Sequence, residues 1–102
     1  MNNKFCSMLG FCAKAGKCVF GEDAVSASIK SGKAALVLVS DAASENTIKK
    51  MRDRCAYRDV PLLVCAQDIG AACGKPGRMI VAVTDKTFAN NIQMLYTQCM
   101  GV

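Results

Sequence analysis

Residues 16–23 form a corner suited to acceptor groups, since a glycine, a short apolar stretch, a second glycine and two acids follow one another there. Glycine allows the tight backbone turns that such a corner needs. A helix beginning near Glu22 would present its unpaired amide hydrogens at the corner, with the positive end of the helix dipole behind them. Lys14 and Lys17 lie just upstream and add positive charge. The segment therefore predicts a site for a polyanion, and nucleic acid is the first candidate.

A second basic corner lies in residues 74–78, where Pro76 and Gly77 take the central positions of a predicted type II turn between Lys75 and Arg78. If the first and fourth strands of the chain bring the two corners together, they form a basic cleft beside a helix start. The acids of the first corner could then accept hydrogen bonds from base edges. An apolar rim would suit an unstacked RNA base. From spacing alone, the alternative is that both corners are merely tight turns.

The composition argues against an enzyme. Histidine is absent from the 102 residues, which removes the commonest general base and excludes Ser-His and Cys-His catalysis. The chain contains no Walker loop and no G-x-G-x-x-G, H-E-x-x-H or G-x-S-x-G motif. We therefore predict a non-enzymatic protein with no cofactor and no metal. A reactive cysteine such as Cys18 is the enzymatic alternative.

Seven cysteines are present, an odd number, and none are spaced C-x-x-C. This usage predicts small core hydrophobes, with zinc sites or disulfides as the alternatives. The cysteines are Cys6, Cys12, Cys18, Cys55, Cys65, Cys73 and Cys99.

Length and charge set the general class of the protein. The length suits a single domain over residues 1–102, and more than half of the residues are apolar, enough for a real core. The net charge of +5 permits phosphate binding without requiring it. There is no apolar run long enough to span a membrane and no signal-peptide pattern at the start, so we expect a cytoplasmic protein.

Helices alternate with strands along the chain. Apolar periodicity and glycine boundaries predict helices over residues 2–15, 22–31, 44–58 and 67–73, a last helix capped by Asp85, and strands over 17–20, 35–39, 62–65 and 79–83. This order predicts an α/β domain, a three-layer sandwich with four apolar strands between helices. The units 36–64 and 62–83 each fit a right-handed crossover.

The same periodicity predicts which side chains face the core. The predicted inward residues are Phe5, Met8, Leu9, Cys12, Val25, Ile29, Ile48, Met51, Cys55, Phe88, Ile92, Leu95 and Cys99. The third helix turns Lys49, Lys50, Asp53 and Arg54 outward. We interpret that charged row as a solvated face, with RNA contact as the alternative.

Several segments together resemble the ribosomal protein L7Ae/L30e superfamily, which comprises kink-turn RNA-binding proteins, and in particular its small bacterial members. The segments that carry the resemblance are 16–25, 32–39, 43–50, 69–75 and 81–89, and it extends over about residues 9–95. It implies an α-β-α sandwich with a mixed four-stranded sheet. It also implies that the N-terminus of the second helix enters the groove of a kinked RNA stem at sheared G·A pairs. The loop before the last strand would then pack on a protruding nucleotide.

The local residue pattern and the resemblance together predict roles for particular residues. Base edges would be contacted from residues 21–23, phosphates by three lysines, and a flipped base by the loop 75–78. The implied RNA-binding residues are Lys14, Gly16, Lys17, Gly21, Glu22, Asp23, Lys33, Lys75, Pro76, Gly77 and Arg78. The implied partner is ribosomal or other structured RNA, bound by a monomer that is associated with the ribosome or with another RNA assembly.

The chain departs from the family pattern on the second helix. Ala24 stands where the family has an RNA-reading glutamate, and Ala27 where it has a guanine-contacting lysine. Glu22 replaces the usual threonine, and Asp23 the asparagine of the archaeal proteins. Because such base contacts are worth about 1–3 kcal/mol each, the chain is expected to bind kink-turns more weakly than those proteins do. A protein-interaction module on the same fold, using the acids to meet a basic partner, is the alternative function.

Overall fold

A central sheet of four short strands forms the middle layer of the molecule. A computed structural model describes residues 4–66 and 68–101, with side chains as far as residue 97. The strands are β1 (Cys18–Phe20), β2 (Leu36–Ser40), β3 (Leu62–Cys65) and β4 (Ile80–Val83), in the spatial order β1-β4-β2-β3. The helices are α1 (Lys4–Lys14), α2 (Glu22–Lys30), α3 (Glu45–Tyr57), α4 (Ile69–Ala72) and α5 (Lys86–Gly101).

The sheet is mixed, which confirms the fold class and corrects one predicted connection. β2 and β3 pair in parallel across α3, as a crossover requires. The predicted crossover over residues 62–83 is wrong, because β4 pairs antiparallel with both β1 and β2 and does not neighbour β3. All four residues of β4 are buried, so this strand takes a central position. An apolar strand pattern predicts that a strand is buried but not in which direction it runs. The antiparallel pairing of β4 therefore could not be predicted from its residues.

Each face of the sheet packs on its own layer of helices. The alternating side chains of β2 divide between them: Leu36 and Leu38 pack with residues of α1, α4 and α5, whereas Val37 and Val39 pack with α2 and α3. The strand is therefore covered on both faces, as its continuous apolar run predicts. The predicted inward residues lie in these two clusters or pack against them; the side chain of Cys99 is outside the described residues.

Two helices, α3 and α5, begin at the capping residues that the sequence predicts. The Ser44 hydroxyl accepts a hydrogen bond from the Thr47 amide at 3.1 Å, and an Asp85 carboxylate oxygen accepts one from Phe88 at 3.0 Å. α4 begins after Asp68 and is shorter than the predicted helix 67–73, whose first residue lies outside the described residues. The other predicted elements agree with the structure to within two residues wherever it describes them.

Candidate functional site

The pairing of β1 with β4 brings the two predicted corners together. In this antiparallel pair Phe20 lies opposite Val81, so the end of β1 is adjacent to the start of β4. The Gly21 amide donates to the carbonyl of Ile80 at 3.1 Å. A Cβ built on Gly21 would lie 3.5 Å from Nη1 of Arg78. The start of α2 and the loop 75–78 are therefore one continuous surface, which we call the α2 corner.

Gly21 shapes this corner through its backbone. Its φ of 91° and ψ of 156° fall in a region that is essentially restricted to glycine. Intrahelical bonding begins with the Val25 amide donating to the Gly21 carbonyl at 3.0 Å, so the amides of residues 22–24 precede the first helix bond. Side chains cap α3, α4 and α5, whereas Gly21 has no side chain to cap α2. The positive end of the α2 dipole is thus presented to an incoming acceptor.

Two cations stand beside that helix start. The turn before β4 has the predicted type II character, because Gly77 has φ +88° and the Arg78 amide donates to the Lys75 carbonyl at 3.2 Å. Residues 74–79 are exposed. The ammonium group of Lys75 lies 6.0 Å from the centre of the Phe20 ring, within reach of a cation–π attraction. Lys75 and Arg78 therefore both lean toward the end of β1.

The two acids of the corner have different environments. The Glu22 carboxylate forms ion pairs with Lys50 at 3.1 Å and with Arg54 at 3.6 Å, both on α3. All three side chains are substantially exposed, so these pairs orient Glu22 and contribute little to stability. Asp23 instead faces solvent. The predicted contact of Glu22 with a base edge therefore competes with partners on α3.

The outer face of α2 presents small side chains at the positions where the resemblance implies RNA contacts. Ala24 and Ala27 are both exposed, on the same side of the helix as Asp23. Nothing bulky therefore covers the helix backbone there, and a ligand can approach it closely. The reading of base edges is left to backbone groups and to neighbouring side chains.

The other predicted phosphate-binding residues lie at the opposite end of the strands, where β1 and β2 begin and β4 ends. The Lys17 carbonyl accepts from the Thr84 amide at 2.8 Å, beyond the far end of β4, and Gly16 is next to it with φ +73°. Lys14 ends α1, and Lys33 follows the C-terminal end of α2. Lys17 and Gly21 are four residue steps apart in extended chain, about 13 Å. The structure thus does not bring these residues to the α2 corner, and their contact with phosphate stays a prediction.

Three residues that the sequence reasoning did not single out contribute to the corner. Phe20 is half-buried at the end of β1, and Met79 is 44% exposed next to Arg78, so both offer apolar surface. Gly70, in α4, holds the loop 75–78 in place, since its carbonyl accepts a hydrogen bond from the Lys75 amide at 2.8 Å. The available signal for Gly70 was a glycine inside a predicted helix, which often marks a close packing contact.

The cysteines serve mainly as core residues, and three of them meet between α1, β1 and α4. The Cys18 thiol donates to the sulfur of Cys12 at 3.2 Å. This bond lowers the pKa of Cys12 and raises that of Cys18, and a bond from Cys18 also lowers the pKa of Cys73. A raised pKa opposes a role of Cys18 as a thiolate nucleophile. Among the described residues, no group of three or more His, Cys, Asp and Glu side chains is arranged to hold a metal ion.

The buried thiols predict a loss of stability at high pH. Burial raises the pKa of Cys55 from 9.0 to about 11, and burial, followed by the charges of Asp41 and Cys6, raises that of Cys65 to about 12. The folded state therefore holds these protons more tightly, and the stabilisation is complete below pH 9.0 and lost as pH rises through the folded-state values. We expect the free energy of unfolding in urea to fall by about 1–2 kcal/mol per thiol between about pH 7.5 and about pH 10.5.

The matched control for this effect is a double variant, Cys55→Val with Cys65→Val. It keeps apolar side chains of similar size at both buried positions and removes both titrating groups. The fall in stability with pH should shrink accordingly in that variant. An undiminished fall would assign the pH dependence to other groups.

No helix within residues 4–66 and 68–101 is both long enough and apolar enough to cross a bilayer.

Comparison with known proteins gives consistent matches over nearly the whole chain. Residues 4–93 match the model of the ribosomal protein L7Ae/L30e/S12e/Gadd45 family. A protein of Bacillus subtilis (strain 168) named RNA-binding protein YlxQ is 42% identical over 87 residues, which cover 83% of this chain and 87% of that protein. The RNA-binding protein YlxQ of Enterococcus faecium is 36% identical over 94 residues, 90% of each chain. These matches confirm the resemblance to small bacterial members of the superfamily.

Solved structures agree on the fold. A protein of unknown function from Bacillus halodurans C superposes with a TM-score of 0.88 at 31% identity, covering 92% of this chain and 97% of that one. The Giardia lamblia 15.5kD RNA binding protein superposes with a TM-score of 0.73 over 96% of this chain and 89% of its own. At 16% identity, this second likeness concerns the fold alone.

Proposed function

Because the chain belongs to the ribosomal protein L7Ae/L30e/S12e/Gadd45 family, we propose that it is a non-enzymatic RNA-binding protein whose α2 corner recognises a kinked RNA stem. The partner is ribosomal or other structured RNA, and the chain binds it as a monomer. The observation that carries the proposal is the uncapped start of α2 next to Lys75 and Arg78. Relatives at 42% and 36% identity that are named RNA-binding proteins support it.

The corner offers one kind of contact to each part of such an RNA. The amides at the start of α2 donate to phosphate or base-edge oxygens, with the helix dipole favouring negative charge. Lys75 and Arg78 meet the phosphates, and the arginine can do so with two parallel hydrogen bonds. Phe20 and Met79 supply apolar surface for an unstacked base. A kinked stem presents both a splayed base and closely spaced phosphates, so it fits this combination.

The two acids of the α2 corner affect its selectivity for RNA. Glu22 is drawn toward Lys50 and Arg54, which leaves Asp23 as the exposed carboxylate next to the free amides. A carboxylate there accepts hydrogen bonds from base amino groups and repels misplaced phosphates. The exposed Ala24 and Ala27 have no donor in their side chains, so the proposed affinity is modest and the selectivity rests on shape and backbone contacts.

A titration with two RNAs tests the proposal. We expect the protein to bind a kink-turn stem more tightly than a straight stem of equal length and base composition. The affinity should fall steeply with salt, with a slope of log K against log salt of about −0.7 to −0.9 for each phosphate contact. Fluorescence anisotropy of end-labelled RNA at several salt concentrations measures both quantities.

Three results of that titration distinguish kink recognition from general RNA binding and from a protein-interaction module. Equal affinity for both stems would reject kink recognition and retain general RNA binding. An affinity independent of salt would contradict phosphate contact at the corner. No binding to either RNA would favour a protein-interaction module, in which the exposed Asp23 meets a basic partner.

A further inference from the structure

A groove between α2 and α3 lies outside the α2 corner. Its volume is about 260 Å³, and Ile29, Lys30 and Arg54 are among the residues that line it, with Tyr57 at one end. The Tyr57 side chain is 84% exposed. A large aromatic ring is seldom left in water without a contact to make, because its burial would stabilise the fold. The ring is therefore available to a ligand.

The chain uses its other tyrosine quite differently. The Tyr96 hydroxyl donates to the Val64 carbonyl at 2.7 Å, and its ring packs against Phe5 with the ring centres 5.8 Å apart. Tyr57 instead has the guanidinium group of Arg58 5.7 Å from its ring centre. The ring therefore lies beside a cation. Proteins that bind single-stranded nucleic acid combine aromatic rings and cations in this way to stack nucleobases.

The charges around the groove favour an anionic strand. Lys30, Arg54 and Arg58 line it, and Asp53 is the acid among its lining residues. Arg54 is held in place by a 2.6 Å hydrogen bond to the Ser26 hydroxyl, which joins the two helices across the groove. Arg54 is also paired with Glu22, so Lys30 and Arg58 against the carboxylate of Asp53 leave the groove with a positive balance. Positive charge around an apolar floor suits a backbone of phosphates carrying a stacked base.

The groove is continuous with the α2 corner. Glu22 contacts Lys50 and Arg54, whereas residues near the end of α2 line the groove with Tyr57, so α2 and α3 run side by side in the same direction. The eight residue steps from Glu22, at the start of α2, to Lys30 rise about 12 Å. A strand leaving a stem at the corner can span that distance within a few nucleotides.

We propose that the α2–α3 groove binds a single-stranded RNA extension of the stem, with one base stacked on Tyr57 and its phosphates next to Lys30 and Arg58. The inference rests on the proposed function in that the partner is RNA and its stem occupies the α2 corner. It assigns a second contact to the chain, formed by residues that the corner does not use.

The test compares four RNAs: a kinked hairpin without overhang, the same hairpin with a single-stranded tail of about six nucleotides at its 5′ end, the same hairpin with that tail at its 3′ end, and the tail alone. One tailed hairpin should bind the wild-type protein about five- to tenfold more tightly than the hairpin without overhang. Tyr57→Ala should remove that gain and leave the affinity for the hairpin without overhang unchanged. Tyr57→Phe, which keeps the ring, should retain the gain. Met94→Ala removes another exposed apolar side chain, 58% exposed on α5, and should behave as wild type.

Tyrosine fluorescence gives a second readout that a merely structural role would not move. The chain has two tyrosines and no tryptophan, and Tyr96 is partly buried with its hydroxyl bonded to the Val64 carbonyl. Stacking of a base on Tyr57 should quench the emission with the tailed hairpin and not with the hairpin without overhang, and Tyr57→Ala should abolish the quenching.

Failure of the inference and failure of the proposed function give different results. If hairpins with and without tails bind equally well and no quenching is seen, the groove contact is overturned. The binding of the hairpin itself would still support the proposed function. Binding of the tail alone, lost in Tyr57→Ala, would support the groove even if the hairpin failed to bind. Absence of binding to all of these RNAs would overturn both.

Discussion

Replacing Gly70 by alanine should lower the free energy of unfolding by about 2–4 kcal/mol and displace the loop 75–78. A Cβ at this buried position would lie 2.7 Å from the Lys75 carbonyl oxygen, still closer to the Arg78 carbonyl oxygen, and 3.0 Å from the Arg78 amide. These are backbone atoms, which no side-chain rotation can move aside. The loop must shift, and the hydrogen bond from the Lys75 amide to the Gly70 carbonyl is strained or lost.

The Gly70 effect should extend to RNA binding because Lys75 and Arg78 stand on the displaced loop. The matched control is Gly10→Ala, also in a helix, where the added Cβ would lie 3.2 Å from the Ala72 carbonyl oxygen. That contact requires a shift of a few tenths of an ångström, and alanine favours the helix by about 1 kcal/mol over glycine, so the net change should be small. Urea unfolding followed by circular dichroism measures both variants. Equal stability losses at the two positions would contradict the packing role assigned to Gly70.

Removing both cations of the α2 corner, with Lys75→Ala and Arg78→Ala together, should weaken binding of a kinked stem by about a hundredfold near 0.1 M salt. Each cation that neutralises one phosphate contributes about tenfold at that ionic strength, because it releases a condensed counterion. The slope of log K against log salt should become less steep by about two for the pair. Both residues are exposed, so the fold should keep its stability within about 0.5 kcal/mol.

The charge-matched control removes Lys17 and Lys33, the lysines at the opposite end of the strands. Lys17→Ala with Lys33→Ala lowers the net charge by the same amount, so long-range attraction changes alike in the two double variants. If the kinked stem contacts the α2 corner alone, this control should lose less than about tenfold in affinity. Equal losses in the two variants would mean that the RNA extends along β1 to both ends of the strand. A greater loss in the control would move the binding surface away from the α2 corner.

Local sequence patterns determined the elements and the turn chemistry. Glycine positions, apolar periodicity and capping residues act within a few residues of one another, so Ser44, Asp85 and the Pro76-Gly77 turn could be predicted with their roles in the backbone. The two-sided burial of β2 likewise follows from its unbroken apolar run. The mixed sheet was predicted by the resemblance to the family, because the residue pattern alone did not specify the direction of each strand.

What only the tertiary structure decided involves residues far apart in the chain. The direction of β4 depends on packing against both neighbouring strands, and an apolar strand is equally apolar in either direction. Glu22 meets Lys50 and Arg54 because α2 lies beside α3, a contact across 28 residues or more that no local pattern encodes. The corner that the sequence indicated over residues 16–23 is thereby divided. Gly21 joins Lys75 and Arg78 at one end of β1, while Gly16 and Lys17 lie at the other, because an extended strand separates its two ends by its full length.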